Sequence, residues 1–182
     1  MKRGVIERLS PWTIDTSKLP EDEGEFSFWA TANLPMGDEV KVKLLGLRSA
    51  IQRLRVIYHL LEKCSSLRCV SCQAEISETS SIFTMSVRGP MGTFVNPHGW
   101  VHQMFTVKSS NGFDLIGKRS EQDSWFPGYA WTIMQCSNCH HHLGWQFTSV
   151  KHKLEPIRFF GLCRRSVQAS IDIEDKASLL QY

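Results

Sequence analysis

Two Cys-x-x-Cys pairs constrain this chain more than any other feature. Cys69 and Cys72 form the first pair, and Cys136 and Cys139 form the second. A Cys-x-x-Cys turn directs two thiolates at one point, so two such turns complete a tetrahedral four-cysteine shell for one Zn²⁺. Such a zinc is structural and leaves no coordination position open for a substrate. The alternative is two redox pairs, but a redox Cys-x-x-Cys normally opens a helix in a βαβ unit, a setting that neither pair has.

The composition favours a folded domain in a reducing compartment. The chain has 182 residues, 42% of them apolar, which is enough for a packed core. Its net charge of +3 is too balanced for a binder dominated by nucleic-acid phosphates. The first residues lack the apolar core of a signal peptide, and no run reaches the roughly 18–20 apolar residues of a membrane span. We therefore expect bound zinc rather than disulfides, and a location in the cytoplasm and nucleus.

A helical segment is predicted before the first cysteine pair. Residues 1–24 are interrupted by proline and glycine and are expected to be irregular. Residues 25–63 are expected to be helical, beginning with a short helix that Pro35 stops. Apolar residues then recur at steps of four and three, at Val40, Leu44, Leu47, Ile51, Leu54, Tyr58 and Leu61. This spacing predicts one helix from about Glu39 to Lys63, with Arg53 and Arg55 on its solvated basic side.

From Cys69 onward the pattern changes to short strands. Apolar and polar residues alternate over 81–87, 102–108 and 145–148, and turn dipeptides such as Asn-Gly and Pro-Gly separate these stretches. The pattern predicts a twisted antiparallel zinc domain over 64–165, followed by a flexible acidic tail over 166–182. The fold class is therefore α+β and mainly β, with a short helical segment before the β domain.

Four aromatic residues surround the second cysteine pair, namely Trp125, Trp131, Trp145 and Phe147. Each is either a core residue or part of the wall of a small pocket. A single tryptophan is more often a core residue, but a surface loop offers little core in which to hide several large rings, so both interpretations remain open for the group. An aromatic box binds a cation through its ring faces, or holds a small apolar ring whose polar atoms meet the main chain. Asp123, beside Trp125, favours the cation.

Several strings resemble the cereblon family. They are Gly89-Pro90-Met91, Val95-Asn96-Pro97-His98-Gly99, Leu115-Ile116-Gly117, Ser124-Trp125-Phe126-Pro127-Gly128-Tyr129-Ala130-Trp131-Thr132 and Phe160-Gly161-Leu162. The resemblance covers about 69–165, where the family has its thalidomide-binding (CULT) domain, a β-tent of two antiparallel sheets pinned by one zinc. Residues 19–63 resemble the last helices of the preceding Lon-N-like region, with the match carried by 49–55.

The resemblance implies a substrate receptor of a cullin–RING E3 ubiquitin ligase, docked to the damaged-DNA-binding adaptor protein. Its implied ligands are thalidomide-type imides and C-terminal cyclic imides on damaged proteins. The implied roles are zinc binding by Cys69, Cys72, Cys136 and Cys139, and ligand binding by Asn96, Pro97, His98, Asp123, Trp125, Trp131, Trp145 and Phe147. Asp123 departs from the histidine usual in the family. Because only the last upstream helices are matched, docking to the adaptor is expected to be weak or absent.

Two other functions are compatible with a β-tent. Methionine sulfoxide reductases of the B type share this architecture and the two Cys-x-x-Cys pairs, but they need a reactive thiol, for which Cys163 with its basic flank is a candidate. A methyl-lysine reader would use the same aromatic cage for a cation. The specific strings favour the imide-binding module, for which no catalytic residue is expected.

Overall fold

The computed structural model describes residues 1–13, 19–87, 89–151 and 154–171. The chain divides into two compact units. The first comprises Met1–Ser65 and the stretch that begins at Ala169, and the second comprises Ser66–Gln168. Among the described residues, no helix is both long enough and apolar enough to cross a membrane.

Four α-helices are described in the first unit: α1 (Lys2–Leu9), α2 (Glu23–Asn33), α3 (Asp38–Leu45) and α4 (Ala50–Lys63). The helix predicted before Pro35 is α2. It begins where the Asp22 carboxylate accepts the Glu25 N–H at 2.9 Å, a typical N-cap. The apolar faces of the helices meet in a core that includes the fully buried Phe26 and Ile57.

The N-terminal segment differs from its expected irregular form, because it contains α1 and a 3₁₀ turn at Ser10–Trp12. An isolated helix shorter than about 12 residues is marginal in water. This one buries Val5 and Leu9 completely. Gly4 permits a close approach to α4, since a Cβ there would lie 3.0 Å from the Tyr58 ring. Tertiary packing therefore stabilises a helix that the local sequence does not indicate.

The single helix predicted from about Glu39 to Lys63 is wrong, because a break separates α3 from α4. Gly46 is the C-cap of α3, and the Ser49 hydroxyl caps α4. The break shifts the phase of the apolar pattern. Leu54 remains buried at 1% exposure, whereas Ile51 is 52% exposed.

Arg53 also departs from the prediction, because it leaves the solvated basic side and is only 3% exposed. Its Nε donates to the Leu44 carbonyl at 3.0 Å, one terminal N–H donates to Ser27 Oγ at 2.6 Å, and the other donates to the Leu47 carbonyl. Leu44 lies in the last turn of α3 and Leu47 follows its C-cap, so the guanidinium lies at the end of the helix where the dipole favours a cation. Arg53 therefore ties α4 to the end of α3 and to α2.

The described strands are β1 (Ser66–Cys69), β2 (Glu75–Glu78), β3 (Met91–Val95), β4 (Val101–Val107), β5 (Phe113–Ser120), β6 (Tyr129–Cys136), β7 (His142–Ser149), β8 (Arg158–Cys163) and β9 (Val167–Ser170). They form one sheet in the order β2–β1–β9 and another in the order β3–β4–β8–β7–β6–β5. Neighbours in the larger sheet pair antiparallel, as do β1 and β2. The predicted mainly β fold with two antiparallel sheets is confirmed.

Two local strand predictions need correction. The predicted strands 102–108 and 145–148 correspond to β4 and β7, but 81–87 forms no continuous strand. A 3₁₀ turn ends at Ser81, and Ile82 makes only an isolated bridge to Val107. The predicted flexible tail contains β9, and its residues 172–182 lie outside the described residues.

Candidate functional site

The first Cys-x-x-Cys pair occupies the turn between β1 and β2. The Gln73 N–H donates to the Cys69 carbonyl at 2.9 Å, and the Cys69 N–H donates to the Ala74 carbonyl at 2.9 Å. Gln73 adopts a left-handed conformation with φ of 64°. This turn places Cys69 and Cys72 on one side of the hairpin end.

The second pair repeats this backbone design between β6 and β7. The His140 N–H donates to the Cys136 carbonyl at 2.8 Å, and the Cys136 N–H donates to the His141 carbonyl at 2.8 Å. His140 takes the left-handed position, with φ of 60°. The repeated geometry means that each hairpin presents two thiols in the same way.

The four predicted cysteine ligands lie together. The Sγ atoms of Cys69 and Cys139 are 3.7 Å apart, those of Cys72 and Cys136 are 3.5 Å apart, and all four lie within 4.8 Å of one another. A tetrahedral zinc with Zn–S bonds of about 2.3 Å needs sulfurs separated by about 3.8 Å. A disulfide needs about 2.05 Å, and all six cysteines are free thiols. The sulfur positions therefore fit one tetrahedral metal ion.

Two opposite effects act on these thiols. Burial raises the pKa of Cys69 to about 12 and raises the pKa of Cys136 as well. A hydrogen bond with the Asn138 side chain lowers the pKa of Cys72 to about 6. Asn138 lies between the second pair of cysteines and assists a thiol of the first pair, a role that spacing alone does not indicate. A cation at the centre favours all four thiolates.

The predicted aromatic residues of β6 and β7 share one face of the larger sheet. Trp131 pairs with Phe147, and Ile133 pairs with Trp145. Directly opposed residues share a face, as do residues two apart along a strand. Phe147 is 1% exposed and belongs to the core beneath, against which Trp131 and Trp145 pack while partly buried.

Trp125 joins this face from the loop between β5 and β6. Its ring centroid lies 5.0 Å from that of Trp145, with an interplanar angle of 82°. Its Nε1–H donates to the Val95 carbonyl at 3.0 Å, and the Nε1–H of Trp131 donates to the Gln122 carbonyl at 2.8 Å. Because the main chain satisfies both of these indole N–H groups, the surface that the two rings present to a ligand is apolar.

The loop before Trp125 holds polar main-chain groups next to the indole. Asp123 has a φ of 54°, and the neighbouring Ser124 N–H donates to the Glu121 carbonyl at 3.3 Å. Within the described part of the chain, neither the Asp123 carbonyl nor the Trp125 N–H has a main-chain partner. An acceptor and a donor beside aromatic walls suit the polar edge of a small ring.

The three other predicted ligand residues lie in the turn between β3 and β4. The Oδ1 atom of Asn96 accepts the N–H of His98 at 3.0 Å and the N–H of Trp100 at 2.9 Å. Asn96 therefore braces this turn, and its neighbours Pro97 and His98 are exposed. The turn is connected to the aromatic residues by the hydrogen bond that the Trp125 indole donates to the carbonyl of Val95, the residue before Asn96.

Two histidines that no local pattern singles out flank Trp145. The His102 ring centroid lies 4.9 Å away at 86°, and the His142 centroid lies 4.8 Å away at 73°. Burial lowers the pKa of both imidazoles, that of His142 to about 4, and the charge of Arg165 lowers both further. Both rings are therefore neutral at pH 7. They come from β4 and β7, so only the register of the folded sheet brings them together.

Cys163 lacks the properties of a catalytic thiol. It is 1% exposed, and burial raises its pKa to about 11. Its Sγ lies 3.9 Å from Nε2 of His142. Reactive cysteines are partly exposed and have a lowered pKa. These properties disfavour the methionine sulfoxide reductase alternative.

A two-sheet β domain with two Cys-x-x-Cys turns at one metal-binding centre defines a class of zinc-binding domain. The family model described as "Yippee zinc-binding/DNA-binding /Mis18, centromere assembly" matches residues 65–177. The chain belongs to this Yippee-Mis18 family. The crystal structure of the Mis18 'Yippee-like' domain aligns with a TM-score of 0.40 and 16% identity, over 59% of this chain and 95% of that chain.

The resemblance to cereblon is confirmed by curated relatives. The chain is 44% identical to Protein cereblon of Danio rerio over 170 residues, which are 92% of this chain and 39% of that protein. It is 42% identical to the Gallus gallus protein over 94% of this chain and 40% of that protein. For Drosophila melanogaster the identity is 33%, over 89% of this chain and 28% of that protein. The chain thus spans well under half the length of these relatives.

Proposed function

We propose that this chain is the imide-recognising module of a substrate receptor for a cullin–RING ubiquitin ligase. The observation that carries the proposal is the group of Trp125, Trp131 and Trp145, which packs on a core that contains Phe147. The similarity to proteins named cereblon over 92% of the chain supports the same function.

A neutral cyclic imide such as a glutarimide complements this group. Its CH₂ groups suit the indole faces, its N–H suits the Asp123 carbonyl, and one of its carbonyl oxygens suits the Trp125 N–H. The turn with Asn96, Pro97 and His98 is proposed to form the rim. Thalidomide-type molecules and proteins that end in a cyclic imide both present this ring.

One Zn²⁺ is proposed at the four-cysteine centre. Its role is structural, because four thiolates fill the tetrahedral shell and leave no position for a ligand or an activated water. The metal would hold the β1–β2 turn against the β6–β7 turn. Since metal binding and folding are coupled in such sites, its free energy contributes directly to the stability of the second unit.

The ligase role is proposed from the resemblance to cereblon. The proposed partners are the damaged-DNA-binding adaptor, protein substrates with a cyclic imide end and small-molecule imides, in the cytoplasm and nucleus. The module is proposed to bind rather than to catalyse, and the burial and raised pKa of Cys163 support this role.

The test is a titration of the full chain followed by tryptophan fluorescence. N-acetyl aminoglutarimide should bind, and Trp131→Ala should raise its Kd at least about 30-fold, which corresponds to about 2 kcal/mol, the scale of an interface hot spot. Trp29→Phe is the matched control. It changes a tryptophan of the helical unit and retains an aromatic ring to stack on Phe26.

A trimethyllysine peptide distinguishes the cation-reader alternative. A neutral imide should bind with little dependence on salt, since it has no net charge to screen. If the methylated peptide binds more tightly than the imide and weakens with salt, the site is a cation cage next to Asp123. That outcome contradicts the proposed function.

A further inference from the structure

We propose that the aromatic site continues past the neutral rings of His102 and His142 to an anion-binding subsite at Arg165, which favours imides that carry a neighbouring carboxylate. The inference rests on the proposed imide-binding function and narrows its substrate class. The favoured protein substrates would end in a cyclic imide preceded by an aspartate or a glutamate.

Arg165 lies in the turn that follows β8. The Ser166 N–H closes this turn by donating to the Cys163 carbonyl at 2.9 Å, and the Arg164 N–H donates to the Gln103 carbonyl at 2.9 Å. The second bond fastens the turn to β4, next to His102. Arg165 itself is exposed, so its guanidinium is accessible to a ligand.

The two histidines connect this turn to the aromatic walls. His102 contacts both Trp145 and Trp125, with ring centroids 4.9 Å and 5.7 Å apart, and His142 contacts Trp145 at 4.8 Å. The Nδ1 atom of His102 is buried and has no hydrogen-bond partner among the described residues. An unsatisfied buried polar atom is unfavourable, and in the neutral ring this nitrogen donates or accepts according to the tautomer. The His102 ring therefore marks a polar position beside the aromatic walls.

Arg165 provides the positive charge beside this group. Burial lowers the pKa of His102 and His142, and the Arg165 charge lowers both further. Burial raises the pKa of Cys163, and Arg165 acts in the opposite direction. A positive field beside apolar walls attracts an anion.

Asp123 provides an opposing charge on the other loop of the site. Asp123 lies two residues before Trp125 in the chain, whereas Arg165 acts on the histidines that flank Trp145. The neutral ring would occupy the tryptophan group, and the anion would extend towards Arg165. A ligand with a carboxylate should therefore bind more tightly than a neutral one if the Arg165 charge dominates. It should bind more weakly if the Asp123 charge dominates.

Two synthetic ligands provide the test: aminoglutarimide acylated with a succinyl group, and its succinamide analogue. They differ only in a carboxylate in place of a primary amide. The wild-type chain should bind the carboxylate about three to five times more tightly at 10 mM salt, as expected for one exposed charge pair. The preference should shrink at 100 mM salt, as the Debye length falls from about 30 Å to about 10 Å.

Arg165→Gln should abolish the preference and leave the Kd of the succinamide ligand within about twofold. Arg158→Gln is the matched control, since it removes the same charge at the opposite end of β8 and should retain the preference. Equal or weaker binding of the carboxylate by the wild type, or a preference that survives Arg165→Gln, overturns the inference. If neither ligand binds, the proposed imide function fails as well.

Discussion

Replacing Arg53 by alanine should destabilise the helical unit by about 3 kcal/mol. The side chain makes three hydrogen bonds from a charged donor, each of which is worth about 1.5–3 kcal/mol in general. Two acceptors retain other partners, because the Leu44 carbonyl also accepts the Leu47 N–H at 3.1 Å and the Ser27 hydroxyl donates to the Gly24 carbonyl. Their loss is therefore partial, so the expected total of about 3 kcal/mol lies below the sum of three full hydrogen bonds.

The Phe28 ring adds a smaller contribution. The guanidinium carbon of Arg53 lies 4.1 Å from the ring centroid, and a half-exposed cation–π contact is worth about 0.5–1 kcal/mol. Arg53→Lys should retain part of the stability, since an ammonium keeps the charge but lacks the planar fork that reaches several acceptors.

Urea unfolding followed by circular dichroism at 222 nm measures the effect. Arg55→Ala is the control, because Arg55 is exposed on the same helix and its loss should change stability by less than about 0.5 kcal/mol. If Arg53→Ala costs no more than Arg55→Ala, the buried arginine does not tie the three helices together. The argument from its hydrogen bonds would then be wrong.

Three further predictions concern the second unit. Cys72→Ser should remove the bound zinc measured by elemental analysis and largely unfold this unit, whereas Cys64→Ser should keep the zinc; zinc retained by the first variant would contradict the four-cysteine site. Because the pKa of His142 is lowered to about 4, the unfolded chain takes up a proton that the folded one rejects, so stability should fall as the pH drops from about 6.5 towards 4. Urea titrations should show a smaller loss for His142→Phe, and an equal loss would exclude this histidine as its source. Cys163 should react with a disulfide reagent only after unfolding, and Cys163→Ser should leave imide affinity unchanged; fast labelling would restore the enzyme alternative.

The metal centre was predictable from the sequence because Cys-x-x-Cys is a local motif with a fixed geometry. The aromatic group was predictable from specific strings, and the strand ladder then explains how Trp131 and Trp145 share a face. Arg53 was not predictable in the same way. The spacing of apolar residues places Arg53 on the solvated side only if one helix runs without interruption. The break after Gly46 changes which face of α4 packs against the core. His102 was missed because its contact with Trp145 joins two strands that are distant in the sequence.

The β6–β7 hairpin connects the metal centre to the aromatic group. β6 carries Trp131 and ends at Cys136, and β7 carries Trp145 and begins three residues after Cys139. A one-residue slip of this ladder would move one of the two tryptophans to the opposite face of the sheet. At about 3.3 Å per residue, the metal-binding turn lies roughly 16 Å from Trp131, too far for direct contact with a bound ring. The metal would therefore act on recognition through strand register, by holding the turn that sets it. On this reasoning, removal of the metal abolishes imide binding although no ligand atom touches the metal.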